Sequence, residues 1–365
     1  MTPFPREAFK PLVPYVPDPR PVPWDLSDNT NLWGTHPAAL EALRNATEDD
    51  LARYPTGYGD RLKESVAESV GVGPECVATD CGSDDLLDSA FRAACDPGER
   101  VAFPVPTFSM IPLLTRMNDL DTDPVEPPRD WREKGSLLPP VDRLLEGDPS
   151  AVYVCSPNNP TGEVAPREWI EALLDAAAAE GGPVVVVDEA YAEFDERSFL
   201  ADAPHRKRVV VTRTLSKAYG LAGLRVGYGV GDPELIHEIE KSRGPYKVGR
   251  LSEACAVAAL ADREGWTSRV TDEVRTNRKA LVQALEERGL RPLPSGSNFL
   301  LLPVADGARV AEGIRAHGVA VRPLPDLPGV GDGLRITVGP WEGMERLLEA
   351  VDQVLAPASQ EASGG

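Results

Sequence analysis

Pro183 to Tyr191 reads PVVVVDEAY, four consecutive valines closed by a carboxylate, and this run limits the architecture more than any other stretch. β-Branched residues without polar alternation form a strand buried on both faces. Such strands belong to parallel sheets covered by helices on each side. The signal recurs along the chain. Cys76 to Thr79, Val101 to Phe103, Ala151 to Cys155 (AVYVC) and Arg208 to Thr212 (RVVVT) read as further strands. Helices are predicted from Pro37 to Ala46, from Arg61 to about Val70, from Gly82 through DLLDSAFRAAC, and from roughly Pro166 to Ala179. The alternation predicts a mainly parallel central sheet flanked by helices, with ligands bound at the carboxyl ends of its strands.

Beyond Pro233 the pattern changes. ELIHEIEKSR, Ser252 to about Ala261, and about Val270 to Arg288 are helical; strands are predicted at Asn298 to Val304, at VAVRP and at Leu334 to Gly339, with helices at Gly307 to His317 and Glu342 to Leu355. This is a smaller α+β unit. The expected division is an N-terminal arm over 1–30, a large domain over 31–248, a small C-terminal domain over 249–356 and a disordered tail over 357–365, which is APASQEASGG without its first residue. The arm, rich in proline (PLVPYVPDPRPVPWD), is expected to run extended, without helix or central strand.

Composition removes several function classes. A formal charge of −20 argues against nucleic acid or an anionic membrane as partner. An anionic ligand therefore needs a local basic pocket. The acid excess, with arginine far above lysine, fits either adaptation to high salt or GC-rich codon usage. No apolar run reaches the roughly 18 residues of a membrane span, and MTPFPREAFKP lacks a signal-peptide core, so a cytoplasmic protein is expected. The cysteines (Cys76, Cys81, Cys95, Cys155, Cys255) show no CxxC spacing and read as reduced thiols, and the four histidines show no metal-binding pattern. No metal is expected.

TLSKAYGLAGLRVGY, Thr214 to Tyr228, follows the RVVVT strand and carries one lysine and, eight residues later, one arginine. A loop lysine is ordinarily a solvated surface residue. At the end of a buried strand, however, desolvation lowers its pKa and frees the amine to attack an aldehyde. Arg225 keeps its charge, and its planar fork suits a phosphate. An aldehyde that also carries a phosphate points to pyridoxal phosphate. Gly82, Ser83 and the Asp84 amide lie at a predicted helix N-terminus, where free N–H groups bind anions or simply accept a cap; Thr214 and Ser216 add hydroxyls.

GSDD, PTFSM, SPNNPTG, DEAY, TLSKAYGLAGLR and LRITVG stand in the order and approximate spacing of fold-type I pyridoxal-phosphate enzymes, and most closely resemble histidinol-phosphate aminotransferases. The resemblance runs from about Tyr15 to the last helix. It implies that Lys217 holds the cofactor and shuttles the proton. Asp188 would keep the ring nitrogen protonated, Asn159 and Tyr191 would donate to the phenolate oxygen, and Phe108 would stack on the ring. Tyr54, in an RYP motif, would reach the phosphate of a neighbouring subunit, which implies a homodimer with shared sites. Arg335 would grip the anionic end of the substrate, helped by Arg322 and Tyr15, with Asn29 beside it.

Two departures stand out. The family usually reads close to NENPYG where this chain reads NTNLWG, so Thr30 replaces a glutamate and Trp33 is expected near the substrate mouth; Ile111 stands where a second aromatic is usual. The implied activity is transamination of histidinol phosphate with 2-oxoglutarate, giving imidazole acetol phosphate and glutamate in histidine biosynthesis. Aromatic or other amino acids as donors, and a threonine-phosphate decarboxylase (a lyase), are the alternatives. A cofactor-binding transcription regulator would need a basic DNA-binding domain, for which length and charge leave no room.

Overall fold

A computed structural model describes residues 4–14 and 20–355. Tyr15 and the tail over 357–365 lie outside the described residues. Strands are labelled in chain order: β1 Trp24–Asp25, β2 Val77–Cys81, β3 Arg100–Pro104, β4 Asp121–Val125, β5 Ala151–Cys155, β6 Val184–Asp188, β7 Val209–Thr214, β8 Val226–Gly231, β9 Phe299–Pro303, β10 Val319–Ala320, β11 Arg322–Leu327 and β12 Gly331–Thr337.

The large sheet has seven strands in the order β2-β8-β7-β6-β5-β3-β4. All neighbours are parallel except β8, which runs against both β2 and β7. Side-chain alternation divides the strands between two cores. Val152 and Val154 of β5, Val185 and Val187 of β6, and Val209 and Val211 of β7 pack with Leu62, Val66 and Ile170. Tyr153, Cys155, Val186 and Val210 face the other way, toward Leu86, Phe91 and Phe103. Asp188, one residue beyond Val187, therefore shares the face of Tyr153 and Cys155.

Two strands of the large sheet lay beyond the sequence reading. β4, DTDPV, is a polar edge strand that tolerates a proline. β8, VGYGVG, is masked by its glycines, each of which sits where a neighbour comes close. A Cβ on Gly227 would lie 2.4 Å from the Gly82 carbonyl carbon and Ser83 nitrogen, and one on Gly229 would lie 2.9 Å from the Leu86 side chain. The glycines thus let the Gly82–Ala94 helix rest directly on the sheet. A further helix, Met110–Met117, buries Ile111 completely in the core beside Phe103 and Leu114.

A second sheet, β11-β12-β9, is antiparallel and packs against the Trp266–Glu287, Gly307–Ala316 and Trp341–Leu355 helices. The Arg250–Ala261 helix, expected with this smaller unit, packs instead through Cys255, Ala256 and Ala259 into a core of the large sheet. The N-terminal segment departs from a purely extended arm, because Glu7–Phe9 closes one 3-10 turn. From Arg20 onward it lies on the smaller unit. Arg20 pairs with Glu312, β1 joins β10, and Leu26 is fully buried.

Candidate active site

Strand register assembles the centre of the site. Cys155 is paired with Asp188 across β5 and β6, and Asp188 with Thr212 across β6 and β7, so the three side chains form a row at the carboxyl ends of parallel strands. The loops that follow carry the remaining groups. Ser83, Asp84, Phe108, Cys155, Asn159, Asp188, Tyr191, Thr214, Ser216, Lys217 and Arg225 all line one cavity of about 140 Å³. A larger hollow of about 840 Å³ beside Trp131 is lined by prolines and arginines and contains neither lysine nor a hydroxyl side chain.

One end of the cavity is built for an anion. The Gly82–Ala94 helix begins there with no side chain capping its N-terminus, so its first N–H groups point outward. Gly82 has φ +81, and a Cβ there would lie 2.4 Å from Arg225 Nη2. A larger residue would fill the cradle. The Thr214 hydroxyl donates to Ser216 Oγ at 2.9 Å, Arg225 Nη1 donates to the same oxygen at 3.4 Å, and Arg225 Nη2 lies 3.5 Å from Asp84 Oδ2. Helix N-terminus, hydroxyls and guanidinium converge on a volume suited to a phosphate.

The other end holds a carboxylate in a dry setting. Asp188 is buried, which pushes its pKa up to about 6 against the hydrogen bonds that favour its anion. Those bonds come from the Tyr153 hydroxyl at 2.8 Å on Oδ2, and from the Ala190 N–H at 3.1 Å and the Thr212 hydroxyl at 3.3 Å on Oδ1. Tyr153 and Thr212 were not singled out from sequence. The available signal was a lone tyrosine in an aliphatic strand, whose buried hydroxyl needs a partner.

Lys217 lies between the two ends. Burial, then the positive Arg335, lowers its pKa to about 8. Its Nζ is 3.4 Å from the Asp28 carbonyl oxygen and 5.8 Å from the centre of the Tyr191 ring. The surrounding loop is tied to the N-terminal segment, since Asn31 Nδ2 donates to the Lys217 and Ala218 carbonyls at 3.2 and 3.0 Å.

The residues expected to meet substrate connect to this centre. Asn29, with φ +61, donates from Nδ2 to the Tyr191 hydroxyl at 3.1 Å. Arg335 donates from Nη1 to Asn159 Oδ1 and from Nη2 to the Ser27 carbonyl, both at 2.8 Å. Arg322 is paired with Arg335 across β11 and β12.

Two expected residues are placed elsewhere. Trp33 is not among the cavity-lining residues; its indole N–H donates to Glu273 at 2.6 Å and its ring packs on the smaller unit. Ile111 is core and does not line the cavity. Tyr54 is 78% exposed and stacks on Tyr246, ring centres 5.0 Å apart, so within one chain it does not enter the site.

Comparison with known proteins agrees with this arrangement. The family described as aminotransferase class I and II matches residues 22–351. The chain is 33% identical to histidinol-phosphate aminotransferase 1 of Nostoc sp., covering 97% of this chain and 99% of that one. It is 37% identical to an aromatic amino acid aminotransferase of Nocardia farcinica, covering 90% of each. The crystal structure of histidinol-phosphate aminotransferase from Sinorhizobium meliloti in complex with pyridoxal-5'-phosphate superposes with a TM-score of 0.80 at 26% identity, covering 92% of each chain.

Proposed function

The chain belongs to the class I and II aminotransferases, and from that premise we propose that it transfers the amino group of histidinol phosphate to 2-oxoglutarate, with pyridoxal phosphate held in the cavity around Lys217. The observation that carries this reading is the single cavity joining a low-pKa lysine, a buried carboxylate and an anion cradle. When bound, pyridoxal phosphate supplies an aldehyde that condenses with amines and a ring that accepts the electron pair left on the substrate carbon.

The protein's residues supply the remainder. Gly82, Ser83, Asp84, Thr214, Ser216 and Arg225 would hold the phosphate end, and Asp188 would keep the ring nitrogen protonated. Asn159 and Tyr191 would donate to the ring oxygen, and Phe108 would pack on the ring. Lys217 Nζ, with a pKa near 8, is partly neutral at neutral pH. It takes the proton from the substrate carbon that bears the amine and returns it on the other side of the transfer, acting as base and then acid. Arg335, with Arg322 and Tyr15, binds the anionic end of the substrate, and Asn29 keeps the Tyr191 hydroxyl oriented.

Incubation with histidinol phosphate and 2-oxoglutarate should yield glutamate. Failure with histidinol phosphate, alongside rapid glutamate formation from an aromatic amino acid, would favour the reading that the Nocardia relative supports. Release of carbon dioxide from threonine phosphate would instead indicate a lyase.

A homodimer with shared sites follows from the same reading. The exposed Tyr54–Tyr246 stack supports it, because a second subunit gives those rings a place to go. The packing of Arg250–Ala261 supports a boundary after Ala261 rather than at 249. Among the described residues no helix is long and apolar enough to cross a membrane, and a cytoplasmic enzyme is proposed.

A further inference from the structure

The geometry points to Tyr153 as a positioning residue for the amino-transfer chemistry: its hydroxyl fixes the Asp188 carboxylate from behind, leaving that carboxylate to face the cavity. Tyr153 is fully buried, packs with Leu86, Phe91 and Phe103, and is not among the cavity-lining residues, whereas Asp188 is. It therefore acts on the site through the side chains it touches, Asp188 at 2.8 Å and the neighbouring Cys155 thiol.

The hydrogen bond is well formed. Tyr153 donates to Asp188 Oδ2 at 2.8 Å, while the Ala190 N–H and Thr212 hydroxyl take Oδ1 at 3.1 and 3.3 Å. Both oxygens are held, so the carboxylate plane is set and cannot rotate without losing a donor. The tyrosine ring is pinned by the core and has two side-chain torsions, so its hydroxyl is preorganised. Burial holds the Tyr153 phenol well above its ordinary pKa, and it stays a donor throughout the working range. The other titratable groups around Asp188 are Asp84, Cys155 and Tyr191, with the cations of Lys217 and Arg225 lining the same cavity. Burial raises the pKa of Asp84, Cys155 and Tyr191, and the Asp188 side chain takes its hydrogen bonds from Tyr153, Ala190 and Thr212 instead. Tyr153 is thus the ionisable group that hydrogen-bonds directly to the Asp188 carboxylate.

This inference rests on the proposed role of Asp188 at the ring nitrogen. A carboxylate that must remain anionic in a dry pocket needs donors, and the 2.8 Å bond is the shortest of the three. The sheet explains why the donor comes from two residues before Cys155: side chains two apart on a strand share a face, and Cys155 is the register partner of Asp188.

The test is Tyr153→Phe, which keeps the ring and removes one oxygen, read in two ways. In cofactor-free protein with isotopically labelled aspartate carboxyls, the Asp188 signal, assigned by its loss in Asp188→Asn, should titrate with a midpoint raised by about one pH unit or more. In the loaded enzyme the acid limb of the kcat profile should move up in parallel, with KM changed little. Thr212→Val, which removes the longest bond, should move the midpoint less. A folded Tyr153→Phe protein whose Asp188 midpoint is unmoved overturns the inference, as does a larger shift from Thr212→Val. If the midpoint moves but Asp188→Asn retains full activity, the Tyr153–Asp188 coupling stands and the assigned role of Asp188 fails.

Discussion

The two halves of the site are built differently. The half around Asp188, Lys217 and Arg225 grows from adjacent strands of one sheet, and its geometry follows from strand register and from the loops at the strand ends. The half around Asn29, Arg322 and Arg335 is assembled from the N-terminal segment and the smaller sheet, with Tyr54 exposed beyond it. The first half is preorganised by packing, so changes there should alter the chemical step. The second depends on segments far apart in sequence, so changes there should alter binding.

The largest expected effect lies in the first half. Lys217→Ala should lower turnover by roughly 10⁴-fold or more; a fully active Lys217→Ala protein would break the comparison at its root. Asp188 gives the next effect, seen in stability. Its pKa rises from 3.8 to about 6 in the folded chain. Below about pH 4 the carboxyl is neutral whether folded or unfolded. Between about pH 4 and 6 only the unfolded chain ionises freely, so the folded state loses stability, by up to about 3 kcal/mol, and the loss levels off above pH 6. Denaturant unfolding of the cofactor-free protein between about pH 4 and 7, a window that spans both values, should show this decline and its levelling, and Asp188→Asn should flatten it.

In the second half, Arg335→Ala should reduce kcat/KM by roughly ten- to a hundredfold, through KM, for every donor and acceptor carrying the same anionic end. A loss confined to kcat would erase the distinction between the halves. The smallest effect is expected at Tyr54. Because its side chain is mostly exposed, Tyr54→Ala should shift the stability of the isolated chain by less than about 0.5 kcal/mol. Its consequence should appear instead in cofactor retention, measured by dialysis, and in the dimer equilibrium.

The same division governs what could be read from the residues. β6 and Asp188 were legible because four valines leave no alternative to a buried strand, and a carboxylate at its end must be explained. β8 was not legible, since the glycines that seat the Gly82–Ala94 helix also erase its strand pattern. Lys217, Arg225, Asp188, Asn159, Tyr191 and Phe108, named from the motifs, all line one cavity. Tyr153 escaped because its role depends on which strand lies beside β5. Trp33 and Ile111 were placed by position in a motif, but burial and a partner on another helix decide where they point. The Arg322–Arg335 pairing depends on the register of an irregular hairpin, which no local pattern encodes.

The central claim is that the fold makes Lys217 a reactive amine. Cofactor-free protein exposed briefly to pyridoxal phosphate across a range of pH, then reduced with borohydride and mapped by mass spectrometry, tests it directly. The account predicts an adduct at Lys217 whose rate of formation rises with a midpoint near pH 8. A midpoint at the ordinary lysine value of 10.5, or an adduct that forms only on other lysines, would contradict it.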